Sequence, residues 1–215
     1  MVAVNKPAGQ LVHPSDTPQE GDLVTMKILR DQIGQQVFTV HRLDCPTCGC
    51  LLFALGQESA ATLHEAFRLH RVKKVYLAVV LGKPERERWT CHMPLAKSPS
   101  ARAKDASTEF RLLAKSDSGI SLVAARPHSG RFHQIRRHLE LEGYPIVGDF
   151  RYLEVERCAR ECERLGVGTR MLLQAHSLDL HHPLSSEPLK IEAPIDPLIA
   201  GLFPAAASLV SSHVW

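Results

Sequence analysis

The segment of this chain best equipped for nucleophilic chemistry is His41-Arg42-Leu43-Asp44, which sets an acid behind a cation and an apolar residue where a strand-like run ends. Loops at strand ends commonly carry catalytic groups. A neighbouring guanidinium would hold Asp44 ionised, as a nucleophile requires, and partial burial would strip its water. The alternative is a turn role, with Asp44 capping Pro46-Thr47. A second segment, Gly130 to Leu139, packs Arg131, His133, Arg136, Arg137 and His138 among apolar Phe132, Ile135 and Leu139 at helical spacing. A helix beginning near Arg131 would offer free N–H groups to a phosphate. A solvated charged face is the competing reading, although such faces usually mix signs and the first acid here is Glu140. A third run, Arg68 to Tyr76, is basic and ends on an aromatic, a combination that suits RNA through phosphate neutralisation and base stacking. Taken alone, a Tyr such as Tyr76 is more often a half-buried strand residue than a catalytic one.

Cys45, Cys48 and Cys50 have zinc-like or redox-like spacing. No second Cys pair stands at zinc-ribbon or finger distance, since Cys158 and Cys162 lie far along the chain. Redox chemistry is disfavoured because Cys48 leads into a strand rather than opening a helix.

The elements that must position these groups follow from local pattern. A short strand at Met1 to Val4 ends at Asn5-Lys6-Pro7-Ala8-Gly9, and a polar loop runs to about Asp22. Helical spacing from Leu23 to Ile33 closes at Gly34, and Val37 to Val40 and the uncharged Cys50 to Leu55 read as strands. A helix over Ser59 to His70 precedes a long strand over Val72 to Gly82, and Trp89 to Ala106 reads as a basic, exposed loop. Ser107 to Ala114 and Ile120 to Ala125 form a hairpin around Lys115 to Gly119. Beyond Pro127 come a helix that Gly143 stops, a charged helix over Glu154 to Leu165, strands over Met171 to Leu180 and Leu189 to Ala193, and a short helix over Pro197 to Phe203. Irregular alternation with an antiparallel hairpin indicates an α+β fold with a mixed sheet.

Composition sets the class. The 215 residues are 44% hydrophobic and 23% charged, values of a globular chain, and no apolar run is long enough to span a bilayer. The formal net charge of +3 is too small to argue for a nucleic-acid partner by itself, so the distribution of cations matters more. Six Cys without a leader pattern read as reduced thiols in the cytoplasm.

Four motifs occur together and in order: Val4-Asn5-Lys6-Pro7-Ala8-Gly9, His41-Arg42-Leu43-Asp44 with Thr47 and Gly49, Lys74-Val75-Tyr76, and Gly130-Arg131-Phe132-His133-Gln134-Ile135-Arg136 through Gly148-Asp149. In this the chain resembles the RluA-type family of RNA pseudouridine synthases. The resemblance implies the pseudouridine synthase fold: a mixed, mostly antiparallel central sheet in two halves, with flanking helices and a central RNA cleft. It implies one catalytic domain over residues 1–203 without a separate amino-terminal RNA-binding domain, and a tail over 204–215. Asp44 matches the aspartate that attacks the uridine, Tyr76 the tyrosine that stacks on the base, and Arg136 the arginine that pairs with the aspartate. Arg42 matches the residue that fills the space of the flipped nucleotide. Lys73, Lys74, Arg102, Lys104, Arg131, His133 and Arg137 are the expected RNA contacts.

The reaction implied is an isomerisation needing no cofactor and no metal. The partner is RNA, with tRNA favoured by the likeness of Arg30 to Thr39 to tRNA-modifying members and ribosomal RNA the alternative. No membrane partner is expected, and the protein is expected to be a monomer. The family usually has Arg at Cys45 and Ser at Cys48, and the 94–106 loop is short. A catalytically inactive RNA-binding protein or a metal-binding regulator are the readings of other classes.

Overall fold

The computed structural model describes residues 1–14 and 19–213. The elements run β1 (Val2–Lys6), α1 (Thr25–Ile33), β2 (Phe38–Thr39), β3 (Cys48–Ala54), α2 (Gln57–Arg68), β4 (Lys73–Leu81), β5 (Arg88–Cys91), β6 (Thr108–Lys115) and β7 (Ile120–Pro127). They continue with α3 (Gln134–Leu141), α4 (Val155–Leu165), β8 (Leu173–His181), β9 (Pro188–Glu192), α5 (Pro197–Leu202) and α6 (Ala206–His213). The fold is α+β, with the mixed and mostly antiparallel sheet that the sequence implied: β1–β3, β2–β3, β4–β7, β5–β6, β6–β7 and β8–β9 pair antiparallel, and the isolated bridge Leu11↔Val24 is parallel. The chain divides into two compact units, Met1–Lys74 with Ala175–Pro194, and Val75–Gln174 with Ile195–Trp215.

In the first unit β3 lies between β1 and β8, with β2 also paired to β3 and β9 to β8. All of β3 is buried, which explains its lack of charge. The backbone at Gly49 has φ +107°, and a Cβ there would stand 2.1 Å from the Ala175 carbonyl oxygen, so this crossing requires glycine. Helix α2 covers the sheet by burying Ala60 and Leu63 against Val40, Leu52, Ala54 and Leu178.

In the second unit the order is β4-β7-β6-β5. The period of two along β4 and β7 builds two cores. Leu77, Val79, Leu122 and Ala124 face Cys158, Cys162, Ile199 and Phe203, contributed by α4, α5 and the end of α5. Ala78, Val80, Val123 and Ala125 face Trp89, Phe110, Ile135 and Leu139, so α3 lies on this side. Ser116 N donates to the Ile120 carbonyl at 2.9 Å, closing the expected hairpin.

Three local departures have identifiable causes. The stretch expected as loop from Trp89 holds β5, whose four residues alternate exposed and buried, with Trp89 and Cys91 inward. The charged helix expected from Arg131 starts at Gln134, because the Gln134 side chain folds back: its Oε1 accepts from Arg131 N at 3.0 Å and from Ser129 Oγ at 2.7 Å. Residues 206–213 form α6, whose Ala206 and Val210 are buried in the core beneath α4. Among the described residues no helix is long and apolar enough to cross a membrane.

Candidate active site

In the first unit, Asp44 opens a tight turn into β3. Thr47 N donates to the Asp44 carbonyl at 3.0 Å, and Gly9 N donates to the Cys45 carbonyl at 2.9 Å. The turn is anchored from below by Lys6, a fully buried lysine. Its Nζ donates to the carbonyls of Pro7 at 2.8 Å, Gln10 at 2.9 Å and Cys45 at 3.1 Å. Two of the recognised motifs are thereby one structural object, in which an ammonium gathers the carbonyls of both loops.

His41 is a support of the same region. Its Nε2 accepts from Leu52 N at 2.9 Å and its ring stacks on Phe67 at 4.5 Å. Burial, with the Lys74 charge adding to it, pushes the imidazole down to about 3, so His41 is neutral. Arg42 is exposed, Lys73 is exposed and Lys74 is half-buried; burial pulls the Lys74 ammonium down to about 8.

Cys50 and Cys158 behave as packing groups. Cys50 turns its Sγ to the His176 carbonyl at 3.3 Å and is pushed up to about 11 by burial, while Cys158 is pushed up to about 12 in the core under α4. Among the described residues no three His, Cys, Asp or Glu side chains gather as metal ligands.

In the second unit, Tyr76 is half-buried on β4, opposite Ala125, against the core on the α3 side. Arg136 lies in the first turn of α3 and is 5% exposed. Its Nε and Nη2 donate to the two carboxylate oxygens of Asp149, each at 2.7 Å. Asp149 is itself 1% exposed. Gly148 makes that placement possible: its φ is +79°, and a Cβ would fall 1.9 Å from the Arg170 carbonyl oxygen. The face of the Tyr152 ring lies 5.1 Å from the Arg136 guanidinium carbon.

A one-directional chain fixes α3. Gln134 Nε2 donates to Thr108 Oγ1 at 3.0 Å, Thr108 Oγ1 lies 2.9 Å from His138 Nδ1, and His138 Nε2 donates to the Met93 carbonyl at 3.0 Å. Burial lowers the His138 pKa, which keeps the ring neutral and able to accept from Thr108.

The remaining expected RNA contacts cluster near α3. Arg131 Nε donates to the Asp105 carbonyl at 3.1 Å and Arg137 Nη1 to the Ala96 carbonyl at 2.8 Å, so both hold the loop after β5 as well as presenting charge. Arg102 and Lys104 are exposed on that loop. His133 lies just before α3. The residues that sequence reasoning left without a role are Lys6, Asp149 and Tyr152. Lys6 and Asp149 stood inside recognised motifs, whereas Tyr152 had no signal beyond its nearness to Asp149.

The model of the RNA pseudouridylate synthase family matches residues 1–141, a span that includes Asp44, Tyr76 and Arg136. The chain belongs to the RNA pseudouridine synthase family. The synthase is 39% identical over 216 residues to tRNA pseudouridine synthase C of Haemophilus ducreyi, covering 91% of this chain and 88% of that one. It is 35% identical to the protein of the same name from Salmonella typhi, over 91% and 82% of the two chains. Among solved structures it resembles human RNA pseudouridylate synthase domain containing 1, with a TM-score of 0.75, 28% identity, and coverage of 93% and 81%. Human RNA pseudouridylate synthase domain containing 4, at 23% identity, shares the fold with a TM-score of 0.73 over 92% and 86%. The synthase is therefore an isomerase acting on RNA: the uracil leaves its ribose through nitrogen and returns through carbon, with no net change of atoms or electrons.

Proposed function

We propose that the synthase isomerises a uridine of tRNA in the cytoplasm, with Asp44 as the nucleophile. The likeness to tRNA pseudouridine synthase C over nine-tenths of the chain carries the substrate reading. The family match over the span that holds Asp44, Tyr76 and Arg136 supports the mechanistic one. A uridine in a stem is out of reach, so the enzyme extrudes it, at a cost of about a few kcal/mol, and reads it in a pocket. Tyr76 supplies the aromatic face for the base, and Arg42 takes the vacated space. Arg136 is the cation that serves Asp44, held in position by its two bonds to Asp149. Lys73, Lys74, Arg102, Lys104, Arg131, His133 and Arg137 grip phosphates on either side, fixing register without reading sequence.

The test is to incubate purified protein with a tRNA pool and with deproteinised ribosomal RNA and to map modified positions. Pseudouridine confined to tRNA is expected; modification confined to ribosomal RNA rejects the substrate. Asp44→Asn is expected to abolish turnover while RNA affinity changes by less than about tenfold, about 1.4 kcal/mol. Substantial turnover by that variant removes Asp44 as nucleophile.

A further inference from the structure

The turn after Gly148 supplies two groups to one guanidinium. Asp149 takes Arg136 edge-on, through Nε and Nη2. Tyr152, three residues later, covers the guanidinium face at 5.1 Å, within the range of a cation–π contact. The turn itself is closed on Asp149, whose carbonyl accepts from Tyr152 N at 3.3 Å and from Leu153 N at 3.0 Å. Edge and face contacts constrain different motions. A carboxylate fork fixes the guanidinium within its plane, and a ring against the face resists tilting of that plane.

The Tyr152 ring is in turn held from the other end. Its Oη lies 2.9 Å from His133 Nδ1, and the two rings meet edge to face at 5.6 Å and 90°. His133 has φ +52°, a sparsely populated backbone state for a residue with a side chain, and it persists only where surroundings enforce it. Its ring also stacks on Phe132 at 3.7 Å. The strained residue before α3 and the turn after Gly148 are thus joined through one phenol, and the phenol's ring rests on Arg136.

We infer that Tyr152, latched by His133, is a positioning residue for Arg136, holding the plane of its guanidinium for the isomerisation. The inference rests on the role proposed above for Arg136. Positioning errors of this kind cost turnover more than binding, because the geometry matters at the reacting atoms.

The test measures kcat and KM for pseudouridine formation on a tRNA transcript with Tyr152→Phe and Tyr152→Leu, each in the wild-type and the Arg136→Lys background. Loss of the ring in Tyr152→Leu is expected to lower kcat by about tenfold or more, and loss of only the hydroxyl in Tyr152→Phe by about threefold, with KM within about twofold. In the Arg136→Lys background both effects shrink, since the group they act through is gone. A full-sized, additive loss in that background, or an effect on KM alone, overturns the inference. If Tyr152→Leu does not fold, the isosteric Tyr152→Phe decides, and an unchanged kcat there overturns it. Arg136→Lys at wild-type kcat overturns the assignment of Arg136 and the inference with it. A slow Arg136→Lys beside wild-type Tyr152 variants overturns the inference alone.

Discussion

Arg136 and Asp149 form a buried ion pair with two parallel 2.7 Å bonds, 13 residues apart in the chain. Pairs of this kind are costly to break from one side, because the survivor is left charged and desolvated. Asp149→Ala is therefore expected to destabilise the fold by about 3–5 kcal/mol. Chemical denaturation read by far-UV circular dichroism checks it. A loss below about 1 kcal/mol would mean that water reaches the site and the pair is no anchor.

How much of this was legible in the sequence depends on the range of the interaction. The wholly buried β3 announced itself by lacking charge, and the β6–β7 hairpin by two strand-like runs joined through a polar turn ending in Gly119. Strand β5 was hidden because four alternating residues among Pro and Arg carry too little pattern. The false start of α3 has a different origin. Phe132, Ile135 and Leu139 keep helical spacing across the boundary, but the left-handed backbone at His133 and the returning Gln134 side chain are features that side-chain periodicity does not encode. Asp149 and Arg136 were visible as charges, and only the fold brings them together. Asp44, Tyr76 and Arg136 were singled out through motif order alone, since no local pattern separates a nucleophilic aspartate from a turn residue.

Lys6 is a second anchor whose loss is predictable. Its ammonium satisfies three carbonyls and it is fully buried. Lys6→Met keeps the stem volume and strands those acceptors, each unsatisfied group costing about 1–3 kcal/mol before relaxation. The expected outcome is a loss of at least about 2 kcal/mol, with faster amide exchange at Gly9 and Thr47, whose N–H groups bond into the same turn. Hydrogen exchange at those two amides in the variant separates loosening of the turn from general destabilisation. Unchanged protection there refutes the anchoring role.

Gly148 and Gly143 offer a matched comparison. Both have positive φ, +79° and +82°, but a Cβ at Gly143 meets nothing within 4 Å, whereas one at Gly148 would lie 1.9 Å from a backbone oxygen. Gly143→Ala carries only the left-handed penalty of about 1–2 kcal/mol. Gly148→Ala adds a steric conflict with the Arg170 backbone, beside the Asp149 that holds Arg136, and is expected to lose more stability and most turnover. Thermal unfolding of both variants ranks them, and equal midpoints would show that the Arg170 backbone yields freely.

The proposed grip of Lys74 on RNA depends on pH. Burial brings the Lys74 ammonium down to about 8, from 10.5 for a free lysine. Its sign is fixed by charge: below that value Lys74 is a cation and attracts phosphate, and as pH rises through it the charge is lost while ordinary lysines and all arginines keep theirs. If Lys74 contacts RNA as proposed, affinity falls above about pH 8 by up to about tenfold per pH unit, one proton being linked to binding. Lys74→Arg should abolish that fall, since a guanidinium stays charged throughout. Its salt dependence at pH 9 should also be steeper than the wild type's by about one phosphate contact. Equilibrium binding of one tRNA transcript from pH 7 to 9, with both proteins in the same buffers, cancels any titration of the RNA itself. Superimposable curves would place Lys74 outside the RNA interface.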